Sequence, residues 1–263
     1  MTTNAQDAIV LLGDSITQDG WSPYGFAQRL ANAYVRKLDV INRGMSGYNT
    51  DWIIPRLRAG AHPPCFAKQH DQQHLPKIRL MTIWLGANDA ALPPSGQHVP
   101  LERYAANLAH LAHLVSDPSS PYHAPHTKLL LITPPPINTH QWRVTLRQGE
   151  PPKELDRKFE VTAEYAERVR TVGREVGVPV VDVWTRVWDA AGHVEERLSE
   201  YLYDGLHLNE HGYALVYEEI IKAIGENYPE LHYEKLQPVF KLWDQINPQN
   251  PGPDLQKRDI FAA

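Results

Sequence analysis

Five short apolar runs, separated by longer amphipathic segments, constrain the fold of this chain more than any other feature. Each run is predominantly hydrophobic instead of alternating regularly between polar and apolar positions, which is typical of strands buried on both faces of a sheet. The runs are Ala8–Leu12, Leu38–Asn42, Ile78–Leu85, Lys128–Thr133 and Val178–Trp184. We therefore predict five strands of a parallel sheet.

The segments between the runs carry apolar residues at the spacing of a helix face. The four clearest are Tyr24–Lys37, Leu101–Ser116, Lys153–Val176 and Glu210–Ile224. Strands that alternate with helices form a parallel sheet covered by helices on both faces. With 263 residues, 42% of them hydrophobic, the chain can bury a full core, and we expect one α/β domain of medium size.

Chemically useful side chains follow the predicted strands. In an open α/β sheet, ligands bind at the carboxyl ends of the strands, so the segments after the runs are candidates for a site. These segments are Gly13-Asp14-Ser15, Arg43–Asn49, Gly86–Asp89 and Pro134–Gln141. The last one opens a long proline-rich loop, Thr133–Pro152, which we expect to form an apolar wall of the pocket through Ile137, Trp142 and Leu146.

Ser15 is a candidate nucleophile because it lies between the first strand and a helical segment. Free backbone N–H groups at a helix N-terminus favour the negative charge that an attacking alkoxide and its oxyanion product carry. The alternative is a serine that merely caps the helix. The G-x-S-x-G pattern of α/β-hydrolases is absent, since Thr17 stands where its second glycine would be.

Asp204 and His207 supply a candidate base near the other end of the chain. In a turn, this spacing lets the carboxylate accept from one imidazole nitrogen while the other faces a serine. The alternative is an aspartate that caps a turn beside one of 13 histidines.

Gly47 and Asn88 follow the second and third strands and are candidate hydrogen-bond donors. A backbone N–H at the glycine and a side-chain amide at the asparagine, together with the N–H of Ser15, would give three donors to a tetrahedral oxyanion. A glycine turn and an Asx turn are the alternatives.

The four segments together resemble the ordered blocks of the SGNH, or GDSL, hydrolase family. They are Gly13-Asp14-Ser15, Asn42-Arg43-Gly44-Met45-Ser46-Gly47, Gly86-Ala87-Asn88-Asp89 and the Asp204-x-x-His207 spacing. The resemblance implies a three-layer α/β/α sandwich of the flavodoxin-like kind, with Ser15 as nucleophile and oxyanion donor. It also implies Gly47 and Asn88 as the other donors, His207 as base and Asp204 as its orienter.

Within this family, the sequence around Ser15 and Gly47 is similar to the isoamyl acetate-hydrolysing esterases. That similarity implies short acyl esters as substrates, small molecules cleaved without a metal or organic cofactor. Lysophospholipase, thioesterase and carbohydrate deacetylase activities are the alternatives inside the family.

Two histidine pairs suggest a metal as the competing class of chemistry. The segment His207-Leu208-Asn209-Glu210-His211 matches the inverted zinc-peptidase pattern, which requires both histidines on one helix. Gly205 and the cap signal at Asn209 place the helix start after His207, which disfavours this reading. His70 and His74 are also four residues apart, but with no obvious third ligand this pair is more typical of a solvated loop or short helix than of a metal site.

Charge and cysteine content exclude several other classes. The formal charge is −5 with no basic stripe, so we expect no nucleic-acid partner. No apolar run approaches the roughly 18 residues that a membrane span needs, and no secretory signal pattern is present. Cys65 has no cysteine to pair with, which favours a reducing, cytoplasmic location.

The pattern changes after Glu226, so we divide the chain into a hydrolase domain, residues 1–226, and a tail, residues 227–263. Val239, Leu242, Trp243 and Ile246 have the spacing of one short amphipathic helix. We expect this helix to dock on the domain or to form a homodimer contact.

Overall fold

The computed structural model describes residues 6–58, 68 and 76–262, so Cys65 and the His70/His74 pair lie outside the described residues. Five strands form one sheet in the described part of the chain. They are β1 (Ala8–Gly13), β2 (Asp39–Gly44), β3 (Ile78–Trp84), β4 (Lys128–Ile132) and β5 (Val180–Val181). The order is β2-β1-β3-β4-β5 and every pairing is parallel, which confirms the predicted sheet.

Helices connect the strands and cover both faces of the sheet. The described helices are α1 (Ser15–Gln18), α2 (Phe26–Ala33), α3 (Thr50–Arg58), α4 (Leu101–Ser116), α5 (Thr139–Gln148), α6 (Phe159–Val176), α7 (Val183–Ala190) and α8 (Glu210–Asn227). Of the described helices, none combines the length and apolar character that crossing a bilayer requires.

Two hydrophobic cores lie on opposite faces of the sheet, because alternate residues of each buried strand point to opposite sides. Ile9 and Leu11 of β1 pack on one side with α2, α7 and α8, whereas Val10 and Leu12 pack on the other with α3, α4 and α6. The fold is therefore the expected three-layer α/β/α sandwich.

Strand β5 is much shorter than the predicted run Val178–Trp184. The side chain of Asp182 accepts a hydrogen bond from the backbone N–H of Thr185 at 3.2 Å and caps α7. The apolar residues Val183 and Trp184 therefore belong to a helix. Their hydrophobicity was typical of a buried strand, but the cap ends that strand two residues after it starts.

Other segments also differ from expectation, and α2 (Phe26–Ala33) is shorter than the predicted helix Tyr24–Lys37. The predicted helix Lys153–Val176 begins only at Phe159, because the preceding segment is held by a hydrogen bond from Leu92 N–H to the Asp156 carbonyl oxygen at 2.7 Å. The predicted loop Thr133–Pro152 contains α5, capped by the side chain of Asn138.

The tail does not form the predicted amphipathic helix. It contains short 3-10 turns, including Trp243–Gln245, and the N–H of Val239 donates to the Arg36 carbonyl oxygen at 2.7 Å. The carbonyl oxygen of Val239 accepts from the Arg258 N–H at 2.7 Å, and not from the N–H of Trp243 as a helix would require. Leu236, Val239 and Ile260 belong to the core on the α8 side, so the tail docks on the domain. A division of the chain at Glu226 and a homodimer contact through the tail stay predictions.

Candidate active site

Ser15 is the first residue of α1 and immediately follows the turn that ends β1. The cap of this helix is Asp14, whose carboxylate accepts a hydrogen bond from the Ile16 N–H at 2.9 Å. Because Asp14 performs the capping, the reading of Ser15 as a helix cap is wrong. The Ser15 hydroxyl is therefore available to contact another residue.

That partner is His207. The Ser15 hydroxyl oxygen lies 2.9 Å from His207 Nε2, and His207 Nδ1 lies 2.6 Å from an oxygen of the Asp204 carboxylate. With the ring proton on Nδ1, the imidazole donates to Asp204 and accepts from Ser15. The fold thus joins a serine near the start of the chain to a base 192 residues later.

The loop that carries Asp204 and His207 is held at several points. The second carboxylate oxygen of Asp204 accepts from the N–H groups of Leu206 and His207, at 2.9 and 2.7 Å. The N–H of Tyr203 donates to the His207 carbonyl oxygen at 3.0 Å. Asp204 therefore orients both the ring and the backbone of the histidine.

The charges around His207 favour its protonated form. Burial by itself lowers the pKa of His207, but the hydrogen bond and negative charge of Asp204, with Asp14 and Asp19 adding smaller contributions, leave it raised. Burial opposes ionisation of Asp204, yet its hydrogen bonds to His207 hold the pKa of that carboxyl below its usual value. A base of this kind can accept a proton from serine and hold it near a carboxylate.

Two aromatic side chains flank the imidazole. Tyr203, 57% exposed, stacks on it with ring centroids 5.7 Å apart, and Trp142 meets it edge-on at 6.3 Å. The Trp142 indole N–H donates to the Asp156 carboxylate at 2.9 Å. The other two residues of the expected wall, Ile137 and Leu146, are buried.

Gly47 and Asn88 lie in neighbouring turns after β2 and β3. Gly47 has φ +79°, a left-handed conformation that glycine adopts without strain. One N–H of the Asn88 amide donates to the Tyr48 carbonyl oxygen at 2.8 Å. An amide nitrogen carries two protons, so a second donor remains on Asn88.

Sequence reasoning missed two polar residues behind these turns. Gln97 Nε2 donates to the Gly47 carbonyl oxygen at 2.9 Å and to Asn88 Oδ1 at 3.1 Å. Arg157, only 2% exposed, donates from Nε to the Ala87 carbonyl oxygen at 2.9 Å. Gln97 lies in a loop and Arg157 beside a helix start, and neither position carries a pattern that indicates a site.

Two buried carboxyl groups lie beside the site. Burial raises the pKa of Asp14 to about 7 and that of Asp89 to about 6. One oxygen of Asp89 accepts from the N–H and the hydroxyl of Thr50, at 2.9 and 2.5 Å, and thereby fixes the start of α3.

The arrangement required by the zinc alternative does not form. Helix α8 begins at Glu210 and is capped by Asn209, so His207 lies outside the helix that carries His211. The His211 side chain is 70% exposed and lies 3.8 Å from the carboxylate of Glu210. Among the described residues, no three histidine, cysteine, aspartate or glutamate side chains converge as metal ligands would.

A parallel α/β sandwich with a serine, a histidine and an aspartate linked at the carboxyl edge of its sheet is an architecture of ester hydrolases. Residues 11–215 match the sequence profile of the GDSL-like lipase/acylhydrolase family, and the chain belongs to that family. It is a carboxylic ester hydrolase.

Named relatives point the same way. The human isoamyl acetate-hydrolyzing esterase 1 homolog is 36% identical over 229 residues, 85% of this chain and 83% of the human protein. The isoamyl acetate-hydrolyzing esterase of Saccharomyces cerevisiae is 28% identical, over 91% of this chain and 95% of the yeast protein.

Solved structures share the fold at low sequence identity. Axe2, an acetylxylan esterase from Geobacillus stearothermophilus, superposes with a TM-score of 0.59 at 19% identity, covering 86% of this chain and 97% of its own. A lipase/acylhydrolase from Enterococcus faecalis gives 0.57 at 23% identity, covering 89% and 98%. The SGNH/GDSL resemblance and its three-layer fold are thus confirmed.

Proposed function

We propose that this protein is a serine esterase that hydrolyses short-chain, acetate-type esters, with Ser15 as the nucleophile. The observation that carries the proposal is the linked pair of contacts from Ser15 to His207 at 2.9 Å and from His207 to Asp204 at 2.6 Å. A serine hydroxyl is a weak nucleophile until a base takes its proton, and this chain of contacts supplies that base.

The reaction proceeds in two steps. His207 Nε2 takes the hydroxyl proton as Ser15 attacks the ester carbonyl, and it then donates that proton to the departing alcohol. Water, deprotonated by the same nitrogen, attacks the acyl-enzyme and releases the acid with Ser15 restored. Asp204 orients the imidazole and stabilises its positive charge.

Three donors serve the oxyanion of both tetrahedral intermediates. They are the backbone N–H groups of Ser15 and Gly47 and the second N–H of the Asn88 amide. Such donors stabilise the transition state more than the substrate, because the oxygen gains full charge only as the carbonyl is attacked.

The preference for acetate-type esters rests on the relatives that are named for isoamyl acetate hydrolysis. Trp142 and Tyr203 are aromatic side chains beside His207, which suits a small apolar group next to the ester. Ile137 is buried in the core against which Trp142 packs.

Hydrolysis of p-nitrophenyl acetate tests the mechanism. Ser15→Ala should abolish turnover, while Ser199→Ala, which removes an exposed hydroxyl, should retain it. Turnover should also survive EDTA. Robust activity in Ser15→Ala would overturn the serine mechanism, and loss of activity on metal removal would favour the His207/His211 alternative.

An ester panel tests the substrate class. Acetate, butyrate and octanoate esters of ethanol and isoamyl alcohol should be compared with a lysophospholipid, an acyl thioester and an acetylated sugar. We expect acetate esters to give the highest kcat/KM, and Trp142→Ala to change the acyl or alcohol preference. A higher kcat/KM for the lysophospholipid, thioester or sugar acetate would replace the proposed substrate class.

A further inference from the structure

The side-chain amide of Gln97 joins the two turns that carry the proposed oxyanion donors. Its Nε2 lies 2.9 Å from the Gly47 carbonyl oxygen and 3.1 Å from Asn88 Oδ1. Its own backbone carbonyl oxygen accepts from the Asn49 side chain at 2.9 Å. One glutamine therefore fixes the turn after β2 relative to the turn after β3.

The buried guanidinium of Arg157 hydrogen-bonds to the side chain of this glutamine. Its Nη2 lies 3.3 Å from Gln97 Oε1 and 3.5 Å from Asn88 Oδ1, while its Nε donates to the Ala87 carbonyl oxygen. A buried guanidinium is costly unless it is paired and hydrogen-bonded. Asp156, 2.7 Å away, supplies the opposite charge, so a buried cation is retained directly behind Asn88.

The position of that cation affects Asn88 electronically as well as sterically. Asn88 Oδ1 accepts from both Gln97 and Arg157, so electron density in the amide is drawn toward its oxygen. Polarisation of this kind makes the amide N–H a stronger donor in a site of low dielectric. The N–H that would meet the oxyanion therefore gains from contacts made on the opposite side of the same group.

We propose that Gln97 and Arg157 are positioning residues of the oxyanion site, which hold Gly47 and Asn88 in register and polarise the Asn88 amide. The inference rests on the proposed function, because Gln97 and Arg157 would act only through the proposed oxyanion donors. Neither residue is assigned a contact with substrate. Neither residue belongs to the serine, histidine and aspartate series.

The first experiment replaces Gln97 with methionine, which keeps the length of the side chain and removes its hydrogen bonds. A donor displaced by a fraction of an ångström stabilises the transition state poorly, so kcat for p-nitrophenyl acetate should fall about 10- to 100-fold while KM changes less than about threefold. A rise in KM with unchanged kcat would overturn the proposal.

A transition-state mimic separates positioning from general damage. A short alkylboronic acid forms a tetrahedral adduct with a serine hydroxyl, and its inhibition constant should rise in Gln97→Met by about the factor lost in kcat/KM. The matched control is Gln237→Met, because Gln237 Nε2 also donates to two carbonyl oxygens, at 2.7 and 2.8 Å, but in the tail. The control should leave both quantities unchanged, and equal effects in the two variants would overturn the proposal.

A double-mutant cycle with Asn88→Ala identifies the route of the effect. If Gln97 acts largely through Asn88, Gln97→Met should cost markedly less when Asn88 is already alanine. Full additivity would overturn the polarisation of Asn88 and leave Gly47 as the only group through which Gln97 could act. If Asn88→Ala lowers kcat but Gln97→Met does not, this inference alone fails. If Asn88→Ala leaves kcat unchanged, the proposed oxyanion site fails and the inference falls with it.

The variant Arg157→Lys tests the role of Arg157, provided that the variant protein folds. Lysine keeps the charge but lacks the planar fork that reaches several acceptors, so kcat should fall while circular dichroism stays that of the parent. A parent-like kcat in folded Arg157→Lys would remove Arg157 from the proposal. If that variant fails to fold, the Gln97 cycle decides the outcome.

Discussion

The hydroxyl of Tyr213 donates a 2.8 Å hydrogen bond to the carbonyl oxygen of Ile16, and so joins helix α8 to helix α1, which begins at Ser15. Tyr213 is buried and also stacks against Phe26. The bond connects the two halves of the site, because α8 begins just after His207 and α1 begins at Ser15.

Tyr213→Phe should therefore lower the free energy of unfolding by about 1 to 2 kcal/mol, since it leaves the buried Ile16 carbonyl without this partner. Urea denaturation measures the effect. Tyr217→Phe, one turn further along α8 at a partly buried position, is the matched control and should change stability by less than about 0.5 kcal/mol. Equal losses in the two variants would contradict the role of the bond.

The pH dependence of hydrolysis should report the pKa of His207. The base works in its neutral form, so kcat/KM falls as the pH drops through this pKa, which lies above the ordinary value of 6.5. Asp204→Asn removes the negative charge that raises it, while burial still lowers it. The acid limb should then move to lower pH, and kcat should fall roughly 10⁴-fold.

Profiles of kcat/KM against pH for both enzymes check this expectation. Asp189→Asn is the control, because Asp189 also contacts a histidine, His193, at 2.6 Å, but both side chains are more than half exposed. An acid limb that stays in place in Asp204→Asn would show that another group controls it.

Asp14 should make the protein less stable as the pH rises. Its pKa is raised from 3.8 to about 7 by burial, so between these values the unfolded chain releases a proton that the folded protein keeps. The stability contributed by the protonated Asp14 carboxyl is complete below about pH 4 and is lost progressively as the pH rises to about 7. Asp14→Asn lacks this titration and should gain about 2 to 4 kcal/mol relative to the parent between those limits.

Unfolding by urea at pH 4.5 and pH 8 measures that gain. Asp39→Asn, at an exposed position at the start of β2, should show no comparable difference between the two pH values. A gain in Asp14→Asn that is the same at both pH values would mean that the buried carboxyl is not the cause.

The docked tail predicts a fourth outcome. Val239 is 2% exposed and packs in the α8-side core, whereas Leu242, three residues on, is 39% exposed. Val239→Ala should lower the free energy of unfolding by about 2 kcal/mol, because it removes buried methyl groups. Leu242→Ala serves as the control in the same thermal or urea titration. Similar small effects at both positions would indicate that the tail adds little to the fold.

The parts of the fold that could be predicted are those where local pattern and tertiary packing agree. Strand β3 and helix α4 fall within a residue of their expected bounds, because a buried strand is largely apolar and Pro100 precedes a regular apolar stripe. Ser15, Asp204 and His207 could be found because their short motifs lie at chain positions that an α/β sheet brings to one edge.

The rest depends on contacts that no local pattern encodes. Val239 to Ile246 has helical spacing, yet the Val239 carbonyl oxygen accepts from the Arg258 N–H and its N–H donates to Arg36, both distant in sequence. Gln97 and Arg157 are 60 residues apart and become partners only in the folded chain. Their residue types are common in loops, so only the assembled site distinguishes them.

Strand β1 lies between β2 and β3, so one part of the site follows adjacent strands and the other part lies outside the sheet. Ser15, Gly47 and Asn88 follow three adjacent strands whose backbones are bonded to one another, so heating should disturb them last. Asp204 and His207 lie outside the sheet, in the turn that precedes α8. If the proposed roles hold, reversible heat inactivation should begin with withdrawal of His207, while Ser15, Gly47 and Asn88 stay in place and activity returns on cooling.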